Sequence, residues 1–161
     1  MRTCLLLAGL VAEQRDSPLR GQSLQSLTSA GPEAVQDRAL KFRSAMTAIA
    51  EYETGLTCRV LAGFRELDAA RFRSFGISDP SRSGERVPTF AFDIAGLGAT
   101  ETKKRLWEDS GVQIADGNHY SAAVVRHLGR PEGICRASFA HYDNPGTVDR
   151  FLETLARLTD K

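Results

Sequence analysis

The chain has 161 residues, 42% of them hydrophobic, which suffices for one folded domain with a real core and excludes wholesale disorder. Twenty-one basic residues stand against twenty acidic ones, a formal net charge of +1, so no global field draws the protein to nucleic acid or to an anionic membrane. Three widely spaced cysteines, Cys4, Cys58 and Cys135, make neither a disulfide framework nor a zinc knuckle and predict a reducing, cytoplasmic setting.

In chain order, the apolar run from Cys4 to Val11 is too short to span a bilayer and reads as a buried helix or, if cleaved, as an export signal. Arg15 to Gly31 is rich in Ser, Gly and Gln without periodicity, so residues 1–33 are expected to be a poorly defined segment and linker, and residues 34–161 the domain. Pro32 suits the first turn of a long helix in which Leu40, Met46, Ile49, Leu56, Val60, Phe64 and Leu67 recur near a helical period, with Gly55 as a weak point. From Arg71 the period changes: ARFRSFGI is strand-like, SDPSRSGE a turn, and VPTFAFDI alternates so that Phe90, Phe92 and Ile94 share a face. Pro88 predicts an edge or strand-entry position for that run, and Gly96 and Gly98 end it.

Residues 99–109 are expected to form a helix that places Leu106 and Trp107 inward and leaves Lys103, Lys104 and Arg105 in water. Gly111–Ala115 reads as a short strand, Asp116 to Asn118 as a turn, Tyr120–Leu128 as a helix closed by Gly129, and Ile134–Ala140 as a strand. Asn144 and Pro145 start a terminal helix with Val148, Phe151, Leu152, Leu155 and Leu158 as its apolar stripe. The fold class is therefore α/β of the α+β kind: a small, mainly antiparallel sheet covered by helices and preceded by a long helix.

Cys135 is near His141 and His119 in sequence, but adjacent strand residues face opposite ways, and a lone cysteine in an apolar strand predicts an inert core thiol. Asp116, His119 and His141 lack metal-ligand spacing, and no phosphate-binding glycine motif follows a strand. Arg136, within ICRASFA, is the sharper candidate. A guanidinium there needs an anion, supplied either by an internal acid such as Asp93, Asp116 or Asp143, or by a ligand carboxylate.

The blocks VPTFAFDIAGL, WEDSGVQIADGNHYSAAVVRHLG and ICRASFAHYDNPGTVDRFLETLARL resemble the small C-terminal domain of class V aminotransferases, notably the cysteine desulfurase-like members, and FRSAMTAIAEYETGLTCRVLAGFREL resembles the helix leading into it. The resemblance covers about Lys41 to Leu158 and implies a fold-type I, pyridoxal-phosphate-dependent enzyme that works as a homodimer. It implies that Arg136 binds the carboxylate of an amino-acid substrate, with Asn118, His119 and Tyr120 at the site mouth. Tyr120 stands where desulfurases carry their sulfur-accepting cysteine, which argues against persulfide chemistry. The family's imine-forming lysine belongs to a large domain upstream, and none of Lys41, Lys103, Lys104 and Lys161 follows a strand in a Ser-x-His-Lys arrangement. The expectation is a C-terminal portion that holds no cofactor and is catalytically silent alone, completed by a large-domain chain or a homo-oligomer. The alternative is a non-catalytic binding or assembly module that keeps the small-domain fold.

Overall fold

The long helix expected from Pro32 forms and runs through Gly55 without a break, as α1 (Pro32–Arg65) in a computed structural model that describes residues 32–160. The Cys4–Val11 run and the linker lie outside the described residues. Residues from Glu53 onward pack as one unit; the described part of the other is the helical stretch 32–52. The apolar stripe of α1 has two fates. Leu56, Val60, Leu61 and Phe64 are buried, whereas Leu40 and Met46, expected on the same stripe, are 61% and 48% exposed.

After α1 come β1 (Phe72–Phe75), a 3-10 helix at Pro80–Glu85, β2 (Thr89–Ile94), α2 (Ala99–Ser110), β3 (Ala115–Gly117), α3 (Ala122–His127), β4 (Ile134–Ser138) and α4 (Pro145–Thr159). The strands make one antiparallel sheet in the order β1-β2-β4-β3. Pro88 thus marks entry to a central strand, not an edge. It gives up no ladder donor, and its carbonyl accepts from Phe139 N–H at 2.8 Å.

The period of two sorts the sheet into faces. Phe72, Phe90, Phe92, Ile94, Cys135 and Ala137 point into the core, where α2, α4 and the second half of α1 supply Leu106, Val148, Phe151, Leu155 and Phe64. Phe64 has four ring neighbours, Phe72, Phe90, Phe92 and Phe151, at centroid distances of 4.7–6.2 Å, and Phe139 joins through Phe90 and Phe151. The outward set is Thr89, Ala91 and Asp93 on β2 with Arg136 and Ser138 on β4. α3 covers only part of that face.

Helix ends follow their sequence signals. Asn144 Oδ1 accepts from Thr147 N–H at 3.1 Å before Pro145, and Gly111 and Gly129 close α2 and α3 in the left-handed region. Two boundaries and one side-chain facing differ from expectation. Val112 and Ile114 are buried and alternate, but the ladder begins only at Ala115, so Asp116 and Gly117 are strand residues rather than a turn. α3 starts at Ala122 because His119 and Tyr120 have φ of 50° and 60°, outside the right-handed helix. Trp107, expected inward beside Leu106, is 58% exposed while Leu106 is fully buried.

Two glycines mark close approaches of different hardness. A Cβ on Gly63 would meet Leu152 Cδ1 at 2.3 Å, a flexible side-chain end, while one on Gly133 would meet the Gly117 Cα at 2.6 Å, with φ of +105° besides. Gly133→Ala is expected to cost about 2–4 kcal/mol in denaturant unfolding. Gly63→Ala should stay within about 1 kcal/mol of wild type, since alanine's helix preference offsets the repacking. Equal costs would show that the β3–β4 contact yields as easily as Leu152. Phe151→Ala, at the centre of the ring cluster, is expected to cost about 3–5 kcal/mol by the same measurement.

Candidate functional site

Arg136 occupies the middle of β4, opposite Ala91 of β2 on one side and Ala115 of β3 on the other. Two methyl groups as cross-strand neighbours leave space beside a long side chain, and a hollow of about 310 Å³ opens there. Arg136, Asn118 and His119 all line it, so three of the four residues singled out from sequence share one concavity. Tyr120 does not line it and points into solvent, fully exposed. The strand is apolar only on its core face, and Arg136 projects from the other, exposed one.

The three acids considered as internal partners are engaged elsewhere. Asp93 pairs with Arg130. Asp116 accepts from Lys103 Nζ at 2.5 Å and Thr100 Oγ1 at 2.7 Å, which hold its carboxyl below the usual range. Asp143 Oδ2 accepts from Ala140 N–H at 2.9 Å. Arg136 itself makes no hydrogen bond or ion pair among the described residues. It faces the hollow as an unpaired cation.

The loop beside it is held tightly. Asn118 Oδ1 accepts from Tyr120 N–H at 3.1 Å and the Asn118 carbonyl from Ser121 N–H at 2.8 Å. His119 Nε2 donates to the Ile134 carbonyl at 2.9 Å, tying the loop to β4 two residues from Arg136 and fixing the Nε2–H tautomer. Consecutive non-glycine residues in the left-handed region cost about 1 kcal/mol each, strain that these bonds sustain.

The other sequence candidates are not brought together. His141 N–H donates to Glu53 Oε1 at 3.1 Å, and His127 is exposed in the last turn of α3. Cys135 is fully buried on the core face, and burial pushes its thiol up to about 12, so it is protonated at neutral pH. A larger hollow, about 490 Å³, lies between the Gly96–Ala99 turn and residues Gly129–Gly133, but its arginine, Arg130, is already paired.

Sequence reasoning missed Phe75, Thr89, Val124 and Leu128, which also line the Arg136 hollow. Thr89 was legible as outward-facing from the alternation of TFAFDI. The approach of α3 to β1 was not, because it depends on the left-handed turn at His119 and Tyr120. Arg86 was also missed. It donates to the Ile77 and Thr89 carbonyls and sits 4.3 Å over the Phe90 ring, and burial pulls its guanidinium below the usual value. It braces the entry to β2.

The sequence model of the family described as Aminotransferase class-V matches residues 36–151, more than half of the chain. Among solved structures, the apo form of a cysteine desulfurase from Thermococcus onnurineus NA1 is similar with a TM-score of 0.63 and 24% identity, over 79% of this chain and 30% of that one. The S-sulfonic acid form of the cysteine desulfurase CsdA from Escherichia coli is similar with a TM-score of 0.55 and 24% identity, over 68% of this chain and 25% of that one. The chain therefore spans less than a third of the length of these structures. No curated protein matches.

Cys58 on α1 and Cys135 on the core face of β4 predict opposite thiol behaviour. In native buffer at neutral pH, an alkylating reagent is expected to modify the exposed Cys58 and to reach Cys135 only on denaturation, as read by peptide mass mapping. Native-state labelling of both at comparable rates would show that β4 does not hold this register.

Proposed function

The chain belongs to the class V aminotransferase family, and from that premise we propose that it serves as the small domain of a pyridoxal-phosphate-dependent enzyme in which Arg136 grips the carboxylate of an amino-acid substrate. The observation that carries this reading is the unpaired guanidinium beside the hollow while Asp93, Asp116 and Asp143 are satisfied elsewhere. A planar fork with two parallel N–H donors matches a carboxylate, and charge-assisted bonds of this kind are the strong ones. Asn118 and His119, held by the turn and by the Ile134 carbonyl, border the same space and position the ligand beside the cation.

The described lysines do not fit pyridoxal phosphate. Lys103 Nζ pairs with Asp116, Lys104 with Glu108 at 4.0 Å and Lys41 with Asp37 at 3.0 Å, the first two on α2 and the last on α1. In this reading the cofactor and the lysine that carries it come from a large domain, and the described residues alone are catalytically silent. No sulfur-accepting step falls to Cys135, a buried protonated thiol, and Tyr120 offers none. The reading is thus a desulfurase-like relative without persulfide chemistry in this domain.

A second reading, a non-catalytic assembly module, is favoured by one observation: Leu40, Phe42 and Met46 of α1 are 61%, 67% and 48% exposed. Sedimentation separates the two, since a clean monomer at high concentration counts against assembly.

Two outcomes check the first reading. Amino acids titrated against the chain should shift the Arg136 Nε–H and Val124 methyl resonances to saturation, and Arg136→Gln, followed at the Val124 methyls, should weaken that binding about 10–100-fold with unchanged unfolding stability. Pyridoxal phosphate added with borohydride should give no stoichiometric covalent adduct. Unaltered binding in Arg136→Gln would remove the arginine from the site, and a stoichiometric adduct would mean that one of these lysines carries the cofactor.

A further inference from the structure

The wall around Arg136 differs in character from the cation it surrounds. Phe75, Val124, Leu128 and Ile134 border the hollow, and no Asp or Glu does. Three polar atoms on the rim are turned to internal partners, Asn118 Oδ1 to Tyr120 N–H, His119 Nε2 to the Ile134 carbonyl and Thr89 Oγ1 to Ser138 Oγ at 3.1 Å, while Ser121 borders the hollow without a side-chain capping bond. Val124 is 57% exposed, an aliphatic side chain on the rim with nothing over it. The volume, about 310 Å³, sits at the small end of small-molecule sites, which run from roughly 300 to 1,000 Å³. That suits an acid of amino-acid size.

We propose that the Arg136 hollow selects a monocarboxylate whose side chain is small, aliphatic and uncharged. The inference rests on the reading of Arg136 as the carboxylate grip and adds the class of side chain that accompanies the carboxylate. No lysine or second arginine lines the hollow, so a second carboxylate would lose hydration without gaining a partner. A branched aliphatic body laid on Val124 and Leu128 instead removes apolar surface from water on both sides, at about fourfold in affinity per buried methylene.

The test uses the whole chain and three probes, acetate, isovalerate and succinate, followed through the Arg136 Nε–H and Val124 methyl resonances. Isovalerate is expected to saturate both signals at about tenfold lower concentration than either acetate or succinate. Val124→Ser, a change on an exposed rim with amide dispersion retained, is expected to narrow the isovalerate-to-acetate ratio toward one. Equal affinities for isovalerate and acetate, tighter binding of succinate, or a ratio indifferent to Val124→Ser would each overturn the selectivity while leaving Arg136 as a carboxylate grip. Failure of all three acids to move the Arg136 resonance would overturn the underlying reading as well.

Discussion

The register of β4 is the constraint on which the rest depends. Cys135 and Ala137 are fixed inward by pairing with Phe92 and Phe90, and those rings are held by Phe64, Phe139 and Phe151. Alternation then leaves Arg136 no choice but the outer face. A slip of one residue would place the guanidinium among six phenylalanines and the thiol in water, an exchange with a desolvation cost of several kcal/mol for an unpaired ion. The aromatic cluster stabilises the core and, by the same contacts, aims the charge.

Charge satisfaction on this domain is uneven in a way that points to one place. Arg59 is held in a two-pronged pair by Asp149 at 2.6 and 2.8 Å, joining α1 to α4, Arg130 pairs with Asp93, and Arg86 lodges between carbonyls and a ring. Arg136 has none of these among the described residues. Most exposed arginines are merely solvated. What sets this one apart is that its strand neighbours are Ala91 and Ala115, so the free guanidinium borders a hollow, not a smooth face. A larger residue at Ala91, which lines the hollow, would fill part of that space.

Much of this was legible in the sequence, and the reasons are local. TFAFDI and ICRAS carry their face assignment in their alternation, and Asn144-Pro145 announces a helix start through an acceptor and a preset φ. Where the sequence misled, tertiary context decided. VQI alternates like a strand, yet its partner ladder begins only where β4 can reach it, at Ala115. Leu40 and Met46 fit the helical stripe of α1 but belong to the stretch before Glu53 and find no core in the described residues. Val124 and Leu128 share one helix face at a spacing of four, but Phe75, the opposite wall of the hollow, lies on a strand far away in sequence, and no periodicity relates it to them.

The left-handed pair His119 and Tyr120 links these levels. It ends the loop abruptly, delays α3 to Ala122 and thereby sets where Val124 and Leu128 meet the sheet. Neither residue gains from its own backbone conformation, so the turn persists because Asn118 satisfies the next amides and His119 anchors to the Ile134 carbonyl. That anchor lies on the strand that carries Arg136. The ladder that pairs Gly117 with Ile134 and Ala115 with Arg136 joins the start of the loop to the same strand, so backbone and side chain together fix the loop beside the cation.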